Sequence, residues 1–348
     1  MKKQILKLLC ALLFFVVFGY LFGDEYWEYR EEGEKQEMYT QSIGEEMSDF
    51  NFEEIQNFGE DINLYYTPYL GLLDQLVSEI DAAQDKVYVE VYIFTETNLR
   101  DALIRAHKRG IEVKILLENN PYKAPYLNDK HYTAFKDAGV DVRWSDPLDY
   151  SLNHSKLLII DDLAYVSTGN FSYSLFKYNR DFLVSINNQN LVDDLEQLFM
   201  NDFTHKNLGV YNDNLVLSPE YSRDKLVRLI QSSQKSIDFY FPYIADDEFK
   251  QIMFDTSKRG VNIRGIVEEN FYSGDYDVIE EFEQHDIDLH TFKKDKIHGK
   301  AILVDDIYLY IGSINFSSYS FDENREIGLI ISDSHIIEKF KNIFESDF

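Results

Sequence analysis

The chain has 348 residues, 45% of them hydrophobic, with 62 acids against 34 lysines and arginines and a formal net charge of −28. That much apolar material excludes an intrinsically disordered protein, and the length suits two ordinary domains or one large one. A lone cysteine, Cys10, excludes an internal disulfide framework and a cysteine-based zinc site; the acidity argues against a general nucleic-acid binder, whose affinity comes from lysines and arginines on phosphates.

Residues 1–23 carry Lys2, Lys3 and Lys7 ahead of an apolar run from Leu8 to Phe22, with Asp24, Glu25 and Glu28 behind it. Positive charge before and acid after predict an N-terminal membrane anchor with the rest of the chain extracytoplasmic. A cleaved signal segment with secretion is the alternative, but no small-x-small cleavage site is present. Residues 24–61 hold 14 acids against Arg30 and Lys35 and keep no helical or alternating period, so they read as an acidic linker.

From Ile62 the chain repeats itself. Pro68 corresponds to Pro219, Lys108-Arg109-Gly110 to Lys258-Arg259-Gly260, and Asn119 to Asn270. Each copy opens with a short strand and an amphipathic helix, then a buried strand, a helix ended by glycine and another strand. Val87–Phe94 and Ile237–Tyr243 have the β-branched and aromatic content of strands. The expected fold is α/β: two similar domains, residues 62–207 and 208–348, each a mixed, mostly parallel sheet flanked by helices. The copies diverge between Asn119 and Asn153, which is where substrate choice is expected to reside.

The strongest signal comes after that divergence. His154–Asp181 reads HSKLLIIDDLAYVSTGNFSYSLFKYNRD, and His298–Glu326 reads HGKAILVDDIYLYIGSINFSSYSFDENRE. Each is His-x-Lys, four residues, Asp, then Asn in a small-residue loop, and an acid eleven residues beyond that Asn. Composition alone would give about 0.14 such His-basic-acid spacings per chain. Two, at corresponding places in a repeat, mark a site.

Strand alternation puts His154 with Lys156 on one face, and His298 with Lys300, while Asp161 and Asp305 fall on the other face as structural or turn residues. Asn170 and Asn315 lie where small neighbours allow an amide to approach an anion. Two histidines, two lysines and two asparagines supply what a phosphodiester needs: a nucleophile, an acid for the leaving oxygen, and donors for the non-bridging oxygens. That list requires no metal and no cofactor. One histidine must be neutral to attack and the other protonated to donate. Asp181 and Glu326 are candidates to hold each imidazole's second nitrogen, with the shorter Asp181 placed beside His154; spacing alone leaves an exposed acid open for both.

HSKLLIID with STGN, and HGKAILVD with GSIN, resemble the phospholipase D superfamily, including its bacterial cardiolipin synthase-like members, whose mark is a duplicated His-x-Lys-x4-Asp signature. The resemblance covers residues 62–348. It implies two domains about a pseudo-twofold axis with one active site between them, and a catalytic set of His154, Lys156, Asp161, His298, Lys300 and Asp305. It further implies that His154 attacks to form a phosphohistidine, His298 protonates the leaving alcohol, and Lys156, Lys300, Asn170 and Asn315 bind phosphate. Water or a second alcohol then completes hydrolysis or phosphatidyl transfer. The expected partner is phospholipid at a membrane, with no stable nucleic-acid partner. The alternative is an extracytoplasmic nuclease using the same site, since fold and motif do not choose a substrate.

Overall fold

The computed structural model describes residues 50–206, 208–268 and 278–348. In the first half β1 (Ile62–Tyr66), α1 (Leu70–Ala82), β2 (Lys86–Val91), α2 (Thr97–Arg109), β3 (Glu112–Leu117), α3 (Asp129–Asp137) and β4 (Asp141–Trp144) follow one another. Then come β5 (Lys156–Ile160), β6 (Leu163–Ser167), α4 (Tyr173–Lys177), β7 (Asn179–Arg180), β8 (Phe182–Ile186) and α5 (Gln189–Phe203).

The second half opens with β9 (Leu215–Ser218), α6 (Ser222–Ser232), β10 (Ser236–Phe241), α7 (Asp247–Lys258), β11 (Asn262–Glu268), α8 (Val278–Glu283) and β12 (Ile287–Phe292). It ends with β13 (Lys296–Ile297), β14 (Ala301–Val304), β15 (Tyr308–Gly312), α9 (Ser318–Asp322), β16 (Glu326–Ile331) and α10 (Ser334–Asp347).

The two seven-stranded sheets have one topology. The first runs β1-β8-β6-β5-β2-β3-β4 and the second β9-β16-β15-β14-β10-β11-β12. Both are mixed. Parallel pairing joins β2, β3 and β4, and likewise β10, β11 and β12, through helical crossovers. The other junctions are antiparallel, among them the β5–β6 and β14–β15 hairpins, which need no crossover. The sheets meet face to face, with β5, β6 and β8 against β15 and β16. Burial on both faces explains why β5, β8 and β16 are buried at every position and almost wholly apolar.

Local signals account for the helix bounds. In α2, Leu99, Ala102, Leu103 and Ala106 form the buried stripe, and Gly110 (φ 96°) ends the helix by donating to Ala106 and His107. Gly260 (φ 90°) does the same after α7, its N–H meeting the Ser257 carbonyl at 2.7 Å. The strand register pairs Lys86 with Glu112 and Ser236 with Asn262, so Glu118 corresponds to Glu268 and Asn119 to position 269. The match of Asn119 to Asn270 is thus one residue off, and Asn270 itself lies outside the described residues.

The anchored, extracytoplasmic placement also needs correction. Among the described residues no helix is long and apolar enough to cross a membrane. The predicted anchor, 1–23, and linker residues 24–49 lie outside the described residues. Neither an anchor nor a compartment is assigned to the chain.

Candidate active site

Each motif histidine enters the site from a residue stapled to the opposite half. β7 pairs in parallel with β13, Asn179 opposite Lys296 and Arg180 opposite Ile297. The matching bridge joins Asn153 to Arg325. The Arg180 carbonyl accepts from His298 N–H at 3.1 Å, and the Arg325 carbonyl from His154 N–H at 2.9 Å. From the other side Glu118 accepts Asn153 N–H and Glu268 accepts Ile297 N–H, both at 2.7 Å. The backbone just before each histidine is therefore fixed by a carboxylate at the end of its own half's second parallel strand, β3 or β11.

That stapling crosses the acids. His154 Nδ1 lies 2.7 Å from Glu326 Oε2, and His298 Nδ1 lies 2.9 Å from Asp181 Oδ1. The pairing of Asp181 with His154 expected within one half does not occur. Each acid directly follows the arginine whose carbonyl holds the other half's histidine, so it reaches that ring and not its own. In both pairs the carboxylate engages Nδ1, so the chemistry falls to Nε2; at His298 that nitrogen also lies 3.3 Å from Lys300 Nζ. Both acids are fully buried. Thr168 Oγ1 donates to Asp181 at 2.6 Å, and Ser313, the corresponding hydroxyl, lies against Glu326.

Charge and burial oppose each other here. Burial pushes His154 down to about 4, outweighing the attraction of Glu326, and Lys156 pushes the same way. His298 is also lowered by burial against Asp181 and is the more open ring, its side chain 23% exposed against 11% for His154. Burial acts to raise Asp181 and Glu326, yet the adjacent imidazoles and lysines hold both below the ordinary carboxylate range. Lys300 is lowered to about 8 and Lys156 further, both by burial. Lys300 acts on His154 and Lys156 on His298, so the two motifs form one electrostatic unit. Burial disfavours charge on both lysines, and an incoming phosphodiester would add a negative partner that favours it.

Lys156 Nζ meets the His154 carbonyl, and Lys300 Nζ reaches the His298 carbonyl at 2.5 Å and the Thr168 carbonyl at 3.3 Å. Asn315 faces a cleft of about 850 Å³ with its Oδ1 buried and unpartnered among the described residues. Asn170 Oδ1 instead accepts from Ile93 N–H at 3.2 Å. The repeated Asn-Phe-Ser has a structural basis. Phe171 and Phe316 are core, while Ser172 and Ser317 cap α4 and α9.

Asp161 and Asp305 are not brought to the cleft, which corrects their inclusion with the catalytic residues. Both turn a hairpin at positive φ, 50° and 56°. Asp161 accepts from Gln84, Asp85 and Lys86 N–H at 2.9–3.0 Å, and Asp305 from Gln234, Lys235 and Ser236 at 2.7–2.9 Å. Strand parity accounts for this: Lys156 points into the site, so Asp161, five residues on, points away. Asp161→Ala removes three acceptor bonds and leaves alanine at positive φ, so it is expected to cost about 2–4 kcal/mol of stability. The folded fraction should keep its kcat; denaturant titration and activity on the same sample check both.

Tyr92 escaped the sequence reading. Its ring meets the His154 ring edge-on at 4.6 Å and lies 5.4 Å from Lys156 Nζ. The signal was available: Tyr92 follows β2, and the pairing of Val91 with Lys156 brings it beside His154. Tyr122, Tyr243, Tyr319, Pro121, Pro125 and Leu152 complete much of the cleft wall.

The family described as "Cardiolipin synthase, PLD-like domain" matches residues 76–203 and 226–348. The chain belongs to that family. Its two matches cover β2–β8 of the first half and β10–β16 of the second, leaving out β1 and β9. Cardiolipin synthase 1 of Bacillus cereus is 25% identical over 341 aligned positions, covering 79% of this chain and 65% of that protein. The chain thus spans just under two thirds of that relative. Cardiolipin synthase B of Shigella flexneri is 23% identical, covering 76% of this chain and 74% of that one. In fold, the chain is similar to phosphatidylserine synthase of Haemophilus influenzae, with a TM-score of 0.72 at 14% identity over 87% of this chain and 90% of that one. Polyphosphate kinase of Porphyromonas gingivalis follows at 0.65 and 16%, over 82% and 50%.

Proposed function

We propose that the chain is a phosphatidyltransferase of the phospholipase D type, moving a phosphatidyl group from one alcohol to another. The observation that carries this reading is the pair of imidazoles, each held at Nδ1 by a buried carboxylate of the other half, beside two buried lysines. His154, neutral at pH 7, attacks phosphorus through Nε2; the P–N bond forms as the P–O bond to the headgroup alcohol breaks. His298, protonated once the phosphodiester's charge is present, gives its proton to the departing alkoxide. An acceptor hydroxyl then gives its proton to His298 and attacks phosphorus, releasing His154. Lys156, Lys300 and Asn315 bind the non-bridging oxygens and offset charge in both transition states; Asn170 completes this set from the other loop.

The lipid class is supported by the names of the sequence relatives and by the tyrosine- and proline-rich cleft wall, which suits a substrate with an apolar body and a charged head. The test offers full-length protein phosphatidylglycerol vesicles and single-stranded DNA in parallel, with a chelator throughout. A new diphosphatidyl product together with free glycerol, undiminished by chelator, is expected; glycerol with phosphatidic acid instead would make water the acceptor. Cleavage of DNA with no lipid turnover would sink the lipid assignment, and loss of activity with chelator would sink the metal-independent mechanism.

A further inference from the structure

Asn-Arg-acid occurs in both copies, at 179–181 and 324–326, and Asp-Phe closes the last helix of both halves, at 202–203 and 347–348. The structure joins these across the halves. Arg180 Nε lies 2.7 Å from Asp347 Oδ2, its Nη2 donates to Asp347 Oδ1 at 3.0 Å, and its Nη1 donates to the Thr67 carbonyl at 2.6 Å. Arg325 repeats the fork: Nε lies 2.8 Å from Asp202 Oδ2, Nη2 donates to Asp202 Oδ1 at 3.0 Å, and Nη1 donates to the Ser218 carbonyl at 3.0 Å. Thr67 and Ser218 are equivalent, each preceding an anchor proline. Both guanidiniums are buried.

Each arginine is therefore held at three places. Its side chain grips an aspartate from the other half and a carbonyl from its own, and its own carbonyl holds the other half's histidine. The next residue is the acid on that histidine's Nδ1. In each pair one hydrogen bond from Nη2, a close ion contact from Nε and the carbonyl on Nη1 fix the guanidinium in direction as well as distance, so rotation of that peptide is resisted from both ends. The surroundings differ. Glu220, Tyr150 and Glu90 also face Arg325, whereas Asp295 and Tyr240 face the Arg180–Asp347 pair.

We propose that Arg180–Asp347 and Arg325–Asp202 are crossed positioning pairs: the first sets Asp181 for His298, the second sets Glu326 for His154. The proposal rests on the roles given those histidines above. Its consequence is that loosening one pair impairs one half of the acid–nucleophile chemistry and leaves the other.

Leaving-group dependence tests this in the full-length protein. Asp347→Asn should slow phosphatidylglycerol turnover by at least about tenfold in kcat, with KM changed less than about twofold, because protonation of the alkoxide suffers. The burst of p-nitrophenol from phosphatidyl-p-nitrophenol, which leaves without a proton, should slow by less than about threefold. Asp202→Asn should slow both donors alike, since it disturbs the attacking ring. Arg180→Lys, which keeps the charge and loses the fork, should show the Asp347→Asn pattern more weakly and serves if Asp347→Asn folds poorly.

A second readout needs no turnover: imidazole NMR titration should show His298 titrating at lower pH in Asp347→Asn, with His154 unchanged. Asp181, Lys300 and Lys156 are the charged groups facing His298, and only Asp181 is loosened. Equal slowing of both donors by Asp347→Asn, equal movement of both histidines, or no change in either would overturn the proposal. A wild-type protein inactive on both donors would count against phosphatidyl transfer, and the titration would still decide the positioning.

Discussion

His154→Ala is expected to abolish phosphatidyl transfer, lowering kcat by at least about 10³-fold with every donor, because the covalent route requires that nitrogen. His298→Ala should lower it by about 10²–10⁴-fold with an alkyl alcohol as leaving group, the usual worth of a placed proton donor, and should slow the burst of p-nitrophenol from a p-nitrophenyl donor far less. The two substitutions are thus told apart by the donor. Measuring both variants on both donors checks the assignment; equal sensitivity of His154→Ala and His298→Ala to the leaving group would reverse or remove it. The pH profile adds a sign. Burial pushes His154 down to about 4, so its neutral form persists well below the usual histidine range. The acid limb of kcat/KM for the free enzyme should fall near pH 4, and a limb near pH 6.5 would contradict the buried environment. Stability follows the same linkage. Between about pH 6.5 and 4 the unfolded chain takes up a proton at this residue that the folded chain does not, so this histidine's contribution to stability is lost as pH falls through that window.

Which parts of this site were legible in the sequence follows from the range of the interaction that makes each part. The helix-ending glycines and the strands of each half depend on neighbours within a few residues, and both copies declare them twice. The facing of His154 with Lys156 is a two-residue relation. The turning away of Asp161, five residues beyond Lys156, follows from the same alternation; strand parity gave it and the family signature obscured it. The crossing of the acids is different. It depends on the two-residue strands β7 and β13 and on the single bridge between Asn153 and Arg325, which are too short to have a period or a propensity. An equal offset of eleven from each Asn to its acid suggested a relation within each half, whereas the pseudo-twofold exchanges the acids. Arg180, Arg325, Asp202 and Asp347 were legible only as repeated letters, because their meaning lies in contacts from one half to the other. Tyr92 has no counterpart of its own kind, since Pro242 takes its place in the second half, so comparing the copies passed over it.

That exchange makes a prediction that pairing within each half reverses. Glu326→Gln should lower kcat by about 10²–10⁴-fold, because the amide holds His154 in the wrong tautomer or not at all and no longer steadies the charge it gains. Asp181→Asn should act through His298 and fade in the burst of p-nitrophenol from a p-nitrophenyl donor. Double-mutant cycles decide which ring each acid serves. Once His154 is gone, Glu326→Gln should cost little more, since its partner is already absent; added to His298→Ala, it should multiply the defect. Asp181→Asn should behave in the opposite way, saturating with His298→Ala and multiplying with Glu326→Gln, a lesion that weakens the nucleophile and leaves its nitrogen in place. Saturation of Glu326→Gln with His298→Ala would place that acid beside the other ring and would contradict the 2.7 Å contact to His154. The crossed result would mean that neither half holds a working histidine alone. Each half supplies the imidazole of one dyad and the carboxylate of the other, so separating the halves would disarm both dyads at once.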